Sequence, residues 1–236
     1  GEVFFKRCVH ALEELKAGFS EVRVAQARPQ GTLKITSAVD VAHGLLIPLV
    51  DAYLSKYPDV RVELIVTNRV VDLVGEGVDL AFRGGELEDS SLVARKILPV
   101  DIVLWASKAY LKQNLEPRHP KDLAKHTWVL PTMLADYELS LSNAQQVRVK
   151  VPMQARVGVD DFETLKRFVL LGRGIGPIPT FMCEQELKKG SLVQVLPSWS
   201  VSGSSHFSLV YPAQRFVPTH VRAFIDLALS LSLSNK

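Results

Sequence analysis

Between Gly31 and Phe82 the chain alternates strand and helix patterns on short links, and this constrains its fold more than any other feature. Thr32-Leu-Lys-Ile-Thr36 alternates apolar and polar with a period of two, as a half-buried strand does. A helix is expected from about Gly44 to Tyr57, with Pro48 weakening its start and Pro58-Asp59 ending it. Val60–Val66 reads as a second strand, Val70–Glu76 as a short helix ended by Gly77, and Val78–Phe82 as a third strand. Strand–helix–strand–helix–strand on short links requires right-handed crossovers, and therefore a parallel sheet.

The pattern then repeats with more interruptions. Leu92–Leu98 and Asp101–Ala106 read as strands broken at Pro99, followed by helical signals at Lys108–Gln113 and Lys121–Lys125 and a strand at Trp128–Leu130. Met133–Val147 is weakly patterned, a hairpin or an irregular stretch, and Val149–Val159 reads as a strand interrupted at Pro152. Asp160-Asp161 start a helix over Phe162–Leu171, since carboxylates suit both the N-cap and the positive end of the helix dipole. The order helix, Gly172-Arg-Gly-Ile-Gly176, strand is the reverse of a dinucleotide-binding turn, so Gly172 is read as a helix C-cap. A strand to Pro179, a helix Phe181–Lys188, a strand Leu192–Leu196, a loop Ser198–Ser205 and a strand His206–Val210 come next. Pro218 opens a last helix with Val221, Phe224, Ile225, Ala228 and Leu229 on one face. The whole is an α/β chain of two βα series.

Ahead of this lies a different kind of segment. Phe5, Cys8, Leu12, Leu15, Phe19 and Val22 step 3, 4, 3, 4, 3 along a stretch without proline, the apolar seam of a coiled coil. Glu13, Glu14, Lys16, Glu21 and Arg23 fall off the seam, and Arg28-Pro-Gln-Gly31 separates this helix from the first strand. An amphipathic helix docked on its own domain would also fit, but the strict 3.5 period favours a partner helix.

Catalysis and metal binding find little foothold. The chain has no G-x-S-x-G, and its six histidines lack metal-ligand spacing. Two isolated cysteines, Cys8 and Cys183, make no disulfide framework and suit a reducing compartment. Neither a signal segment nor a membrane span is legible, and a net charge of +3 is a weak field for nucleic acid. No cofactor is expected. What recurs is a loop at the carboxyl end of each parallel strand: Ser37-Ala38-Val39, Thr67-Asn68-Arg69 and Arg83-Gly84-Gly85. Such crests either hold ligands or turn into solvent.

These residues resemble the effector-binding domain of LysR-type transcriptional regulators. The likeness rests on Pro29-Gln-Gly-Thr-Leu-Lys-Ile-Thr-Ser37, Leu46-Ile-Pro48 and Tyr57-Pro-Asp-Val60. It continues through Val71-Asp-Leu-Val-Gly-Glu-Gly-Val-Asp-Leu-Ala81, Arg83 with Asp89-Ser-Ser-Leu-Val-Ala-Arg95, and Gly172-Arg-Gly-Ile-Gly176 with Pro179. Gly190-Ser-Leu-Val-Gln-Val-Leu196 and Val221-Arg-Ala-Phe-Ile-Asp226 close it, so it spans the chain in order.

The resemblance implies two Rossmann-like subdomains of the type II periplasmic-binding-protein fold behind an N-terminal coiled-coil linker helix. It places the linker at 1–28, subdomain I at 29–103 with 206–236, and subdomain II at 104–205. The effector would lie between them, on Ser37, Ala38, Asn68 and Arg83 from the first and Pro131, Thr132, Asp161, Phe162 and Pro179 from the second. Many relatives have a small residue where Phe162 stands, so its ring would narrow the cleft or favour a flat ligand. Asp160 and Asp161 partly cancel the helix N-terminus that would suit an anion, leaving Arg83 to receive a carboxylate.

Phe5, Cys8, Leu12, Leu15, Phe19 and Val22 would pair two chains, with tetramers or larger assemblies beyond the homodimer. DNA would be read through a winged helix-turn-helix that this stretch lacks, in a cytoplasmic regulator with no membrane partner and no catalytic role. A transporter's solute-binding protein and an enzyme using Asp161 or a histidine as base are the alternatives on this fold.

Overall fold

In the computed structural model, strand β1 (Gly31–Ser37) lies between β2 (Val60–Val66) and β3 (Leu80–Gly84) and runs parallel to both. The structure describes residues 1, 2, 4, 5, 7–13, 28–84, 92–134, 138–153, 155–202, 205–213 and 217–234. Residues 7–13 form the described end of helix α1. Phe5 and Leu12 of the proposed seam are exposed and Cys8 is half-buried, whereas Leu15, Phe19 and Val22 lie outside the described residues.

The first sheet has the order β2-β1-β3-β13-β4, completed by β4 (Leu92–Val100) and β13 (Ser205–Pro212), both antiparallel to their neighbours. From β1 the chain enters α2 (Val39–Val41), runs through a π-helical turn (Ala42–Leu46) and continues as α3 (Ile47–Lys56). Helical backbone thus begins before Pro48, and the missing N–H there coincides with the π-helical turn directly ahead of it. Helix α7 (Thr219–Ser234) packs on the same core, with Val221, Phe224, Ile225 and Ala228 buried. Tyr53 is fully buried between these helices. Its ring meets Phe224 edge-on with centroids 5.1 Å apart, and its hydroxyl donates to His220 O at 2.6 Å.

Two expectations fail here for identifiable reasons. Val70–Glu76 is not helical; the chain turns over residues 73–77, where the Asp72 carboxylate accepts from Gly75 N at 3.0 Å. A side chain that takes up a local amide offers the backbone an alternative to the helix. Pro99 does not break β4, because that strand lies at the sheet edge, where a missing donor is tolerated.

Asp101 alone separates β4 from β5 (Ile102–Ser107), the centre of a second sheet flanked by β10 (Gly176–Pro179) and β11 (Leu192–Val195). Beside it, β6 (Trp128–Pro131) runs parallel to β9 (Ala155–Val159), and a three-stranded sheet joins β7 (Glu138–Asn143), β8 (Arg148–Pro152) and β12 (Trp199–Val201). The stretch Val149–Val159 is therefore two strands of different sheets, and the loop at Ser198–Ser205 contains β12. Trp128, Leu104, Leu123, Leu130 and Leu141 centre the core of this half, and each such buried side chain contributes roughly 1.5–3 kcal/mol.

Helix α4 (Lys108–Gln113) is capped by Ser107 Oγ, which accepts from Tyr110 N at 3.2 Å. Helix α5 (Phe162–Leu170) starts as expected, with Asp161 Oδ1 accepting from Thr164 N at 2.8 Å. It ends at Gly172, whose φ of +74° only glycine adopts freely, with Arg173 N donating back to Phe168 O at 3.1 Å. Helix α6 (Glu184–Lys188) comes after a 3-10 turn, Thr180–Met182, in place of one helix over Phe181–Lys188.

Candidate functional site

Register places three loops side by side in the first half. Ser37 pairs with Val66 on one flank and Phe82 on the other, so Ala38, Asn68 and Arg83 all emerge at the carboxyl edge of parallel strands. In the second half Pro131 pairs with Val159 in the parallel β6–β9 pair, so Thr132 and Asp160-Asp161 also leave one edge together. Open parallel sheets bind ligands at such edges.

Asn68 joins the two edges. Its Oδ1 accepts from Val39 N at 3.2 Å, and its Nδ2 donates to Asp160 O at 3.1 Å. Arg83 is half-buried and faces its own loops: Nη1 donates to Thr67 O at 3.1 Å, Nη2 to Arg69 O at 3.0 Å and to Thr36 Oγ1 at 3.3 Å. Thr36 passes the chain on, donating to Ile65 O at 3.0 Å. Arg69 is held by a forked ion pair with Glu76, Nη1–Oε1 at 2.8 Å and Nη2–Oε2 at 2.6 Å. Burial pulls the Arg83 guanidinium below its ordinary value, Arg69 repelling it and Asp40 attracting it. Arg83 therefore braces the loops, with its terminal nitrogens turned toward backbone carbonyls and a hydroxyl.

The other expected residues divide into two groups. Ser37 is buried, its hydroxyl on Ala38 O at 3.1 Å, and Ala38 rests on the first core. Thr132 is exposed at the second edge and Asp161 caps α5 there. Phe162 packs against the core around Leu165 and Val169 and fills part of that hydrophobic layer. Pro131 and Pro179 are buried strand ends, the latter adjoining the Thr180–Met182 turn.

Asp40 is the residue that the sequence reading missed. It is the one carboxylate between Lys34 and Asp51, and that isolation in an apolar stretch was the available signal. It is only 9% exposed. Burial pushes its carboxyl above the ordinary value, and Asp161 from the other half adds like-charge repulsion; the amides of Asp40 and Val41 and the charge of Arg83 oppose the rise.

Asp40 also lines a cavity of about 310 Å³ between the α2–π-turn segment and α5, with Val39, His43, Phe181 and Met182 among its walls. Lys166, on that wall, donates to Met182 O at 3.1 Å and pairs with Glu163 at 3.0 Å and Glu186 at 3.6 Å. Among the described residues no group of three or more His, Cys, Asp or Glu could hold a metal ion, and no helix is long and apolar enough to cross a membrane.

Comparison with known proteins places this architecture. The family model for the LysR substrate binding domain matches residues 26–232. The HTH-type transcriptional regulator PtxR of Pseudomonas aeruginosa is 33% identical over 96% of this chain and 72% of its own length. The HTH-type transcriptional activator AaeR of Escherichia coli is 28% identical over 96% of this chain and 73% of its own. Among solved structures, full-length AphB of Vibrio cholerae superposes with a TM-score of 0.77 at 31% identity, covering 98% of this chain and 78% of that one. CrgA of Neisseria meningitidis superposes with 0.78 at 27% identity, covering 98% and 79%.

Proposed function

The chain belongs to the LysR-type family of transcriptional regulators, and from that premise we propose that a small-molecule effector binds between its two strand edges and resets the angle between the halves. Ser37, Ala38, Asn68, Arg83, Pro131, Thr132, Asp161, Phe162 and Pro179 frame that cleft, with Asp40 added. The observation that carries the reading is Asn68, which holds Val39 N of one half and Asp160 O of the other. A ligand that replaces or tightens this bridge binds one interdomain angle better than another, which is all that a population shift requires. Differential binding of about 1–3 kcal/mol is enough to couple the cleft to a distant site.

The subdomain limits proposed are 29–103 with 206–236 and 104–205; in support, Asp101 alone separates β4 of the first sheet from β5 of the second. Helix α1 supplies the pairing surface. Phe5 and Leu12 are bare in the single chain, as seam residues are before a partner covers them. Two such chains, or a tetramer or larger assembly, set the spacing of DNA-reading modules on an operator. Those modules, and not these 236 residues with their net charge of +3, contact DNA in the cytoplasm. We read the cleft as a sensing site rather than a catalytic one; Asp161 serves there as the cap of α5.

Native mass spectrometry of the purified protein tests this reading. It expects one small molecule per chain, lost from Asn68→Ala, whose exposed side chain touches both edges, while the variant stays folded. A molecule retained equally by that variant contradicts the site.

A further inference from the structure

We propose that the effector of this chain carries a cationic nitrogen, and that Asp40 is its charge partner. The inference rests on the cleft reading above and specifies the class of ligand. Three carboxyl groups, Asp40, Asp160 and Asp161, lie on the chain segments that Asn68 ties together. Arg83 is the cation among them. Its terminal nitrogens are engaged by Thr67 O, Arg69 O and Thr36 Oγ1, so an incoming anion would have to displace bonds that hold the loops.

Asp40 is placed differently from an ordinary surface carboxylate. Nine-tenths buried, it receives no hydrogen bond from another side chain among the described residues, and the amides of its own turn face it. With Glu163, Glu184 and Glu186 it lines the cavity of about 310 Å³, a volume suited to a small organic molecule; Asn68, Arg83 and Asp161 lie outside that lining. The cavity's own lysine, Lys166, is held by Glu163, Glu186 and Met182 O, so it does not neutralise Asp40. Phe181 and Met182 give the space an apolar wall for the body of a ligand. The donor set does not suit a metal ion, since no third ligand converges among the described residues.

Repulsion between Asp40 and Asp161 spans the two halves. A cation seated on Asp40 in that cavity, which residues of both halves line, screens the repulsion, so it binds best when the halves approach. The same contact would thus select the ligand and close the cleft.

The test is thermal denaturation of the whole chain with putrescine, benzylamine, succinate or benzoate, each at millimolar concentration. At least one amine is expected to raise Tm, with affinity falling more than about tenfold in Asp40→Asn. Asn is isosteric and relieves a buried charge, so the ligand-free variant should melt no lower than the wild type, which separates lost binding from lost folding. Stabilisation by succinate or benzoate that disappears in Arg83→Gln overturns the cationic class and leaves the cleft reading intact. Amine binding unchanged in Asp40→Asn, or no response to either amine, also overturns it.

Discussion

Asn68 Nδ2 donates to Asp160 O across the two halves at 3.1 Å while its Oδ1 accepts from Val39 N at 3.2 Å. One amide side chain thereby couples the start of α2 to the start of α5. In Asn68→Ala the Val39 amide loses its acceptor. A hydrogen bond worth roughly 1 kcal/mol corresponds to exchange about fivefold faster at Val39, read by native-state hydrogen exchange. Unchanged protection at Val39 would show that Asn68 holds nothing there.

Gly44 lies in the π-helical turn against Phe181, and a Cβ there would overlap the ring. Phe181 is also fixed on its other side, edge-on to Phe207 with centroids 5.4 Å apart. Gly44→Ala should therefore cost about 1–3 kcal/mol in urea unfolding. Phe181→Leu shrinks the obstacle, so the double variant should lose less than the sum of the single losses.

His126 gives the fold a pH dependence. The Tyr110 hydroxyl lies 3.1 Å from its Nδ1 and accepts from Thr127 N at 3.1 Å, an arrangement that suits a neutral ring accepting from Tyr110. Burial pulls the His126 value below its ordinary 6.5, against the attraction of Asp122. Below about pH 6.5 the unfolded chain takes up a proton that the folded chain resists, so stability falls as pH drops toward the folded value. The urea midpoint of His126→Gln should decline less steeply over that window than that of the wild type.

Cys183 is fully buried, and burial pushes its thiol up to about 12. At neutral pH it should resist iodoacetamide in the folded protein and react once urea unfolds the chain. Rapid native labelling at Cys183 would contradict this.

How far the sequence disclosed this fold depended on how local each signal was. Asp161 as cap and Gly172 as stop were legible because each acts within one helical turn, and both sit where expected. The loops carrying Ser37, Asn68 and Arg83 could be placed together because a parallel sheet dictates where its strands end. Pro99 misled because its effect depends on whether β4 is an edge strand, which only the pairing order shows. Val70–Glu76 misled because one carboxylate, Asp72, outweighed a short apolar pattern. Asp40 left only its isolation in an apolar stretch as a signal, because its role is not local. Its burial and its approach to Asp161 come from two segments 121 positions apart in sequence meeting at the cleft.

Hydrogen exchange of the whole chain with and without its co-purified small molecule tests the central claim, that the ligand lies between the two edges. The account predicts slower exchange at both, over residues 37–40 and 66–69 in one half and 160–164 in the other. Protection confined to one half, or lying only elsewhere, would contradict it.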